Sequence, residues 1–159
     1  MVELVLKLIG PIKQIKPVKP QNKTTMQLVI PCHLFNEIIA HCKEVYPNEA
    51  CGILAGKDRI VQKVYKMTNI ENSGVSYMME PKEQFIVMKE LREQGLGMEA
   101  IYHSHPHSDV YLSPKDISLA FYPDSIYVVV SLVYKAPLIK AFKIKNGIVE
   151  EVEIISVLK

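Results

Sequence analysis

His103-Ser104-His105-Pro106-His107-Ser108-Asp109-Val110-Tyr111-Leu112-Ser113-Pro114-Lys115-Asp116 joins an apolar run to the start of a helix. The run from Glu99 to His103 reads as a buried-type strand. Side chains two apart on a strand project to the same side, so the imidazoles of His103 and His105 stand together at its end. Seven residues separate His105 from Ser113, long enough to wrap from strand to helix. Ser113 suits an N-cap, Pro114 the first helical position, and Asp116 the third, where a carboxylate is favoured. Two imidazoles and one carboxylate thereby gather at one end of a sheet. Three nitrogen and oxygen ligands, with a fourth position left for water, are the usual donor set of catalytic zinc. A His-Ser-His triplet alone is a weak signal, and Asp116 alone is a plain helix-start residue. Their occurrence in one short window is what points to a metal. His107, in the loop after Pro106, reads as exposed or as a neighbour of the ligands.

The rest of the chain sets this segment in a mixed α/β pattern. Val2, Leu4, Leu6 and Leu8 alternate with polar residues and predict a strand over residues 2–9. Pro11, Pro17 and Pro20, interleaved with lysines, then make a semi-rigid linker. Residues 1–25 read as an arm, packed on the domain's own sheet or, in the sharper alternative, pairing with another chain as a homodimer. The compact domain covers residues 26–159. Gln27 to Ile30 predicts a strand. A helix opens at Pro31 with Leu34, Ile38, Cys42 and Val45 on one face, and Pro47 ends it. Strands follow at Cys51–Ala55 and Ile60–Met67 around a Lys57-Asp58 turn. A second helix runs from Pro81 to Gln94 with a stripe of Phe85, Met88 and Leu91, and Gly95 and Gly97 stop it. A third helix spans Ser113–Phe121. Strands at Ser125–Val133, Leu138–Ile144 and Val149–Leu158 complete the chain, the last two joined at Asn146-Gly147, a hairpin signal. The order β-α-β-β-α-β-α-β-β-β predicts a mixed, curved sheet flanked by helices.

The 159 residues are 48% hydrophobic and 23% charged, the balance of a folded globular protein. A net charge of +2 is too near neutral to make nucleic acid the main partner. The longest strongly apolar run, Ile126 to Val133, is far short of a membrane span of roughly 20 residues. Glu3 and Lys7 interrupt the N-terminal apolar stretch where a secretory signal would be continuous. Cys32, Cys42 and Cys51 are too few, and odd in number, for a disulfide framework. A reducing cytoplasm is the expected compartment.

A water activated by zinc needs a base. Zinc brings the pKa of water down to about 7, and a nearby carboxylate takes the proton and delivers it to the leaving group. Glu49 is the best candidate. It lies in Pro47-Asn48-Glu49-Ala50-Cys51-Gly52, between a helix end and an apolar strand, where partial desolvation raises a carboxyl pKa.

Glu49, His103-Ser104-His105, Ser113 and Asp116, with seven residues before the serine and two after it, resemble the JAMM motif of the MPN-domain metalloproteases. The flanks agree: Glu49-Ala50-Cys51-Gly52-Ile53-Leu54-Ala55-Gly56 is similar to the family's glutamate segment, and His105-Pro106 and Ser113-Pro114 recur in it. Tyr77-Met78-Met79-Glu80-Pro81 resembles the family's strand-to-helix junction, where Asp is frequent at the position of Glu80. Leu112 replaces a frequent proline. The resemblance covers about residues 26–145 and implies a JAMM/MPN fold, related to that of the cytidine deaminases. It implies that His103, His105 and Asp116 hold one zinc ion, that Glu49 is general base and then acid, and that Ser113 hydrogen-bonds the developing oxyanion.

The His-x-Glu and Pro-Cys-x-x-Cys motifs of zinc deaminases are absent from the sequence. Cys51, in an apolar run, reads as a core residue rather than a nucleophile. The implied activity is that of a stand-alone prokaryotic peptidase or isopeptidase. Its expected substrates are conjugates of ubiquitin-like or sulfur-carrier proteins, cut after their C-terminal Gly-Gly, the flexible tail binding as an added strand beside the site. The alternative is a catalytically silent MPN-type module that binds a carrier or a partner subunit.

Overall fold

In the computed structural model, residues 26–158 are described; the strand expected at residues 2–9 and the Lys/Pro linker lie outside them. The elements are β1 (Gln27–Pro31), α1 (Cys32–Val45), β2 (Cys51–Lys57), β3 (Ile60–Met67), α2 (Pro81–Gln94), β4 (Gly97–His105), α3 (Pro114–Ser118), β5 (Ile126–Ser131), β6 (Leu138–Lys145) and β7 (Ile148–Val157). The strands close into a barrel in the order β1-β3-β2-β4-β5-β6-β7. The β1–β7, β1–β3 and β4–β5 pairings are parallel and the others antiparallel.

β2 and β5 are buried along almost their whole length, and β4 from Ala100 to His105, because each carries two apolar faces, and such strands read as continuous rather than alternating apolar runs. One face joins a core drawn from all seven strands and from Leu34, Ile38 and Cys42 of α1. The other face, with Cys51, Ile53, Ile101 and Tyr127, meets Val87 and Leu91 of α2. Cys51 is fully buried, as a core residue should be.

The tight turns follow their residues. Asp58 and Arg59 have φ of 53° and 64°, and Asn146 and Gly147 have 52° and 74°, the left-handed pairs that two-residue hairpins require. Gly95 ends α2 in the same region, φ 66°. Gly97 does not act as a helix stop but begins β4.

Three expectations shift. Pro31 caps α1 and does not lie inside it. The α2 stripe is wrong at Phe85, which is 68% exposed while Val87 and Leu91 are buried. Two successive steps of three residues drift by about 120° around a helix of 3.6 residues per turn, so Phe85 cannot share a narrow face with Leu91. α3 stops at Ser118 rather than Phe121: its five residues are all at least partly exposed, with Ile117 its apolar contact to the core, and a helix this short gains little from extension.

Tyr102 on β4 fills the barrel core, and its hydroxyl meets His41 Nδ1 of α1 at 2.7 Å. That ring packs closely against Gly52 of β2: a Cβ there would come under 3.0 Å from both the Tyr102 ring and the Tyr65 carbonyl. Gly52→Ala is therefore expected to displace the ring and break the buried hydrogen bond, lowering the unfolding free energy by about 3 kcal/mol. Chemical denaturation checks it; a change near zero would mean that β2 and β4 can separate at this point.

Candidate metal centre

β4 carries His103 and His105 on the same face as Ile101, the face that looks towards α2. Their Nε2 atoms are 3.1 Å apart. Asp116 in α3 comes to 3.5 Å from His103 Nε2 through Oδ1 and to 3.7 Å from His105 Nε2 through Oδ2. The three ligand atoms all lie within 4.8 Å of one another. The edge of a tetrahedron with arms of about 2.0–2.1 Å is about 3.3 Å. The donor set therefore fits a zinc-sized cation in both chemistry and spacing.

Each ligand is aimed by a partner. His105 Nδ1 donates to the carbonyl of Asp109 at 2.9 Å, which turns Nε2 towards the cluster, the usual arrangement at metal-binding imidazoles. The His103 ring is stacked on Tyr77, centroids 4.7 Å apart at 24°. Full burial pushes the His103 pKa down and favours the neutral imidazole. Asp116 is held by a capping box: Ser113 N–H and Oγ donate to Oδ2 at 2.7 and 2.6 Å, while Asp116 N–H donates to Ser113 Oγ at 3.1 Å. Oδ2 takes both bonds, and Oδ1 turns towards His103 Nε2. Burial raises the Asp116 pKa, but hydrogen bonds from His103 and His105 outweigh it and hold the carboxyl well below its ordinary range.

Glu49 is 3% exposed, two residues before the buried start of β2, and its Oε2 has no hydrogen-bond partner. Burial is the largest influence on it, followed by the opposing charges of the nearby His105 and Asp116, and its pKa is pushed up to about 7. Ser104, between the histidines, faces the other way and ties this residue's neighbour to β4. Its N–H donates to the Ala50 carbonyl at 2.9 Å and its Oγ accepts from Ala50 N–H at 2.8 Å.

The five expected residues thus come together, and His107 does not join them. Its exposed ring packs edge-on against Tyr46 and beside Gly74. Tyr77, Asp109 and Ser104 support the ligands but were not singled out as site residues in the sequence. Only the alternation of β4 could have placed Ser104 on the opposite face. Beside Asp116 opens a cavity of about 270 Å³, bounded by Tyr77, Met79, Ile101, Leu119, Phe121 and Tyr127. The burial of Cys51, which drives its thiol pKa up to about 12, rules it out as a nucleophile.

The family model of prokaryotic homologs of the JAB domain matches residues 31–145. A CysO-cysteine peptidase of Mycobacterium tuberculosis is 39% identical over 111 residues, 68% of this chain and 75% of that protein. A probable TtuB-protein conjugate cleaving protease of Thermus thermophilus is 36% identical over 94 residues, 58% of this chain and 63% of that protein. A solution structure of a protein from Desulfitobacterium hafniense superposes with a TM-score of 0.76 at 34% identity, covering 83% of this chain and 94% of that one. With its barrel, its His-His-Asp cluster and these matches, the chain belongs to the prokaryotic homologs of the JAB domain, as a peptidase of the JAMM/MPN class.

Proposed function

We propose that this peptidase hydrolyses the amide bond after the C-terminal Gly-Gly of a ubiquitin-like or sulfur-carrier protein, releasing an amino acid or a protein amine. The observation that carries the reading is the convergence of His103, His105 and Asp116 with the buried carboxylate of Glu49. The names of two relatives, one a peptidase of CysO-cysteine and the other a protease of TtuB-protein conjugates, support the substrate class. A silent binding module would have no use for a complete ligand set with a desolvated base beside it.

His103, His105 and Asp116 would hold one zinc ion, which when bound supplies Lewis-acid polarisation of the scissile carbonyl and lowers the pKa of water. Glu49 takes the proton of the attacking water on its carboxylate and hands it to the departing amine nitrogen. Ser113 would turn its hydroxyl proton from Asp116 to the oxyanion, while its N–H keeps Asp116 in place. β4 is already paired on both sides, by β2 and β5. A Gly-Gly tail therefore cannot add to β4 itself; as an added strand it would pair with another segment beside the ligands.

Among the described residues no helix is long and apolar enough to cross a membrane, and all three cysteines are free thiols. Cytoplasmic residence, an arm at residues 1–25 ahead of a domain at 26–159, and a homodimer formed through that arm remain part of this proposal.

Three outcomes follow from it. Elemental mass spectrometry should find about one zinc per chain, lost in His103→Ala and kept in Glu49→Gln, while Glu49→Gln lowers kcat by at least about 100-fold. Zinc retained in full by His103→Ala would move the metal elsewhere. The rate should fall as pH falls, because protonated Glu49 cannot accept a proton and protonated histidines release metal. A bound cation lowers the Glu49 pKa from its metal-free value of about 7, so the midpoint of the acid limb lies at or below that. Full activity retained well below about pH 5 contradicts the assignment. Finally, a carrier whose last glycine is replaced by leucine should not be cut; normal cleavage of that carrier would remove the Gly-Gly specificity.

A further inference from the structure

A carboxamide can make four hydrogen bonds, two as donor and two as acceptor. Asn69, just beyond β3 and 8% exposed, makes all four. Its Nδ2 donates to the Glu49 carbonyl at 3.0 Å and to the Ser76 carbonyl at 3.1 Å. Its Oδ1 accepts from Glu71 N–H at 3.0 Å and from Met78 N–H at 3.1 Å. The orientation is fixed by its neighbours: the flipped amide would set oxygen against two carbonyls and NH2 against two N–H groups.

The acceptor side of this arrangement is what a turn needs. Asn commonly accepts from the backbone two residues on, as it does here from Glu71. The donor side is different, because no turn requires a bond to a residue 20 positions earlier in the chain. That bond reaches the Glu49 carbonyl, while the Glu49 N–H donates to the Ser73 carbonyl at 2.8 Å. Both backbone groups of Glu49 are therefore fastened to the segment 69–76, and Asn69 gathers both ends of that segment. One residue beyond Ser76, Tyr77 stacks on His103. The carboxylate of Glu49 has no hydrogen bond on Oε2 to orient it, so its aim depends on where its backbone is held.

We propose that Asn69 is a positioning residue of the hydrolytic reaction, one that sets Glu49 and Tyr77 in register with His103, His105 and Asp116. It touches neither metal nor substrate and acts through Glu49, and the inference rests on the reading of Glu49 as general base. Displacement of a reacting group by about 1 Å costs on the order of 100-fold in rate, and that is the effect expected from releasing the Glu49 backbone.

The test uses the zinc-loaded full chain and, as probe, a ubiquitin-like carrier joined through its C-terminal Gly-Gly to cysteine. Asn69→Ala removes all four bonds. Asn69→Asp keeps the volume and both acceptor bonds but turns an oxygen on the Glu49 and Ser76 carbonyls, and it carries the test should the alanine variant not fold. In both, kcat should fall on the order of 100-fold, with KM changed less than about threefold and zinc content as in wild type. In a Glu49→Gln background the same Asn69 substitutions should change the residual rate less than about twofold, because the group through which they act is gone. A purely structural role would give equal losses in both backgrounds, and that result overturns the proposal. So does an unchanged kcat in folded Asn69→Asp. If Glu49→Gln is inactive while the Asn69 variants are normal, this inference alone fails. If Glu49→Gln turns over like wild type, the general-base reading fails and takes this inference with it.

Discussion

Ser104 faces away from the two histidines that flank it, and its paired hydrogen bonds with Ala50, at 2.8 and 2.9 Å, carry the β2–β4 connection one step past the strand ladder. The constraint is one of alternation. On β4 the side chains at 103 and 105 must point to the face that looks towards α2, so 104 must point into the other core. A large apolar residue there would fill space and leave Ala50 N–H unpaired. A serine satisfies that donor and fixes the chain one residue after Glu49. The site is thus a property of two adjacent strands, one presenting the ligands and the other presenting the base, with Ser104 as the rivet between them. α3 contributes Asp116 through a helix of five residues whose core contact is the partly buried Ile117, and its capping box sets the carboxylate.

The electrostatics follow from the same burial. His103, His105 and Glu49 are each under 5% exposed, and an unpaired charge in such surroundings is expensive. Without a cation the cluster must hold itself together by sharing protons. Burial depresses His103 and works against His105 too, but hydrogen bonding to Asp116 and to the Asp109 carbonyl leaves His105 more basic than usual. A divalent cation among the same three atoms would replace the shared proton as the link between the imidazole nitrogens, now 3.1 Å apart. Metal and proton therefore compete for one set of atoms, and metal affinity must weaken in acid.

Much of this was legible in the sequence, for reasons that differ by element. The strand-loop-helix segment from His103 to Asp116 was readable because strand alternation and helix capping are local rules, and the structure shows the expected N-cap, Pro and capping acid at Ser113, Pro114 and Asp116. The α2 boundaries were readable because Pro81 and Gly95 mark them. Closure of the sheet was not, since it depends on β1 pairing in parallel with β7 over more than a hundred residues of intervening chain, and no local pattern encodes a partner that distant. The α2 face was misread because apolar residues at steps of three suggested a stripe that the helix repeat does not support. Asn69 was invisible because its sequence context, Thr-Asn-Ile-Glu-Asn-Ser-Gly, looks like any polar turn; only the fold shows that one of its hydrogen bonds reaches back 20 residues to Glu49.

Native proteins leave few buried polar atoms without partners, and each such atom asks for an explanation. Among the described residues the two such side-chain atoms are Glu49 Oε2 and His103 Nδ1. Both belong to the site, while Tyr102, Ser125, Ser131 and Asn69, buried elsewhere or in support, find partners. The explanation for Glu49 lies in its task. A base that moves a proton between water and a leaving amine must keep an oxygen open, and any fixed donor on Oε2 would hold its pKa down and block the transfer. Leaving that oxygen bare in a dry setting raises the carboxyl towards neutrality, where proton acceptance and proton return are both accessible. The cost is a carboxylate that cannot orient itself by its own hydrogen bonds. The fold meets that cost by fixing the backbone on either side of it: Ser73 and Asn69 at Glu49 itself, Ser104 at Ala50.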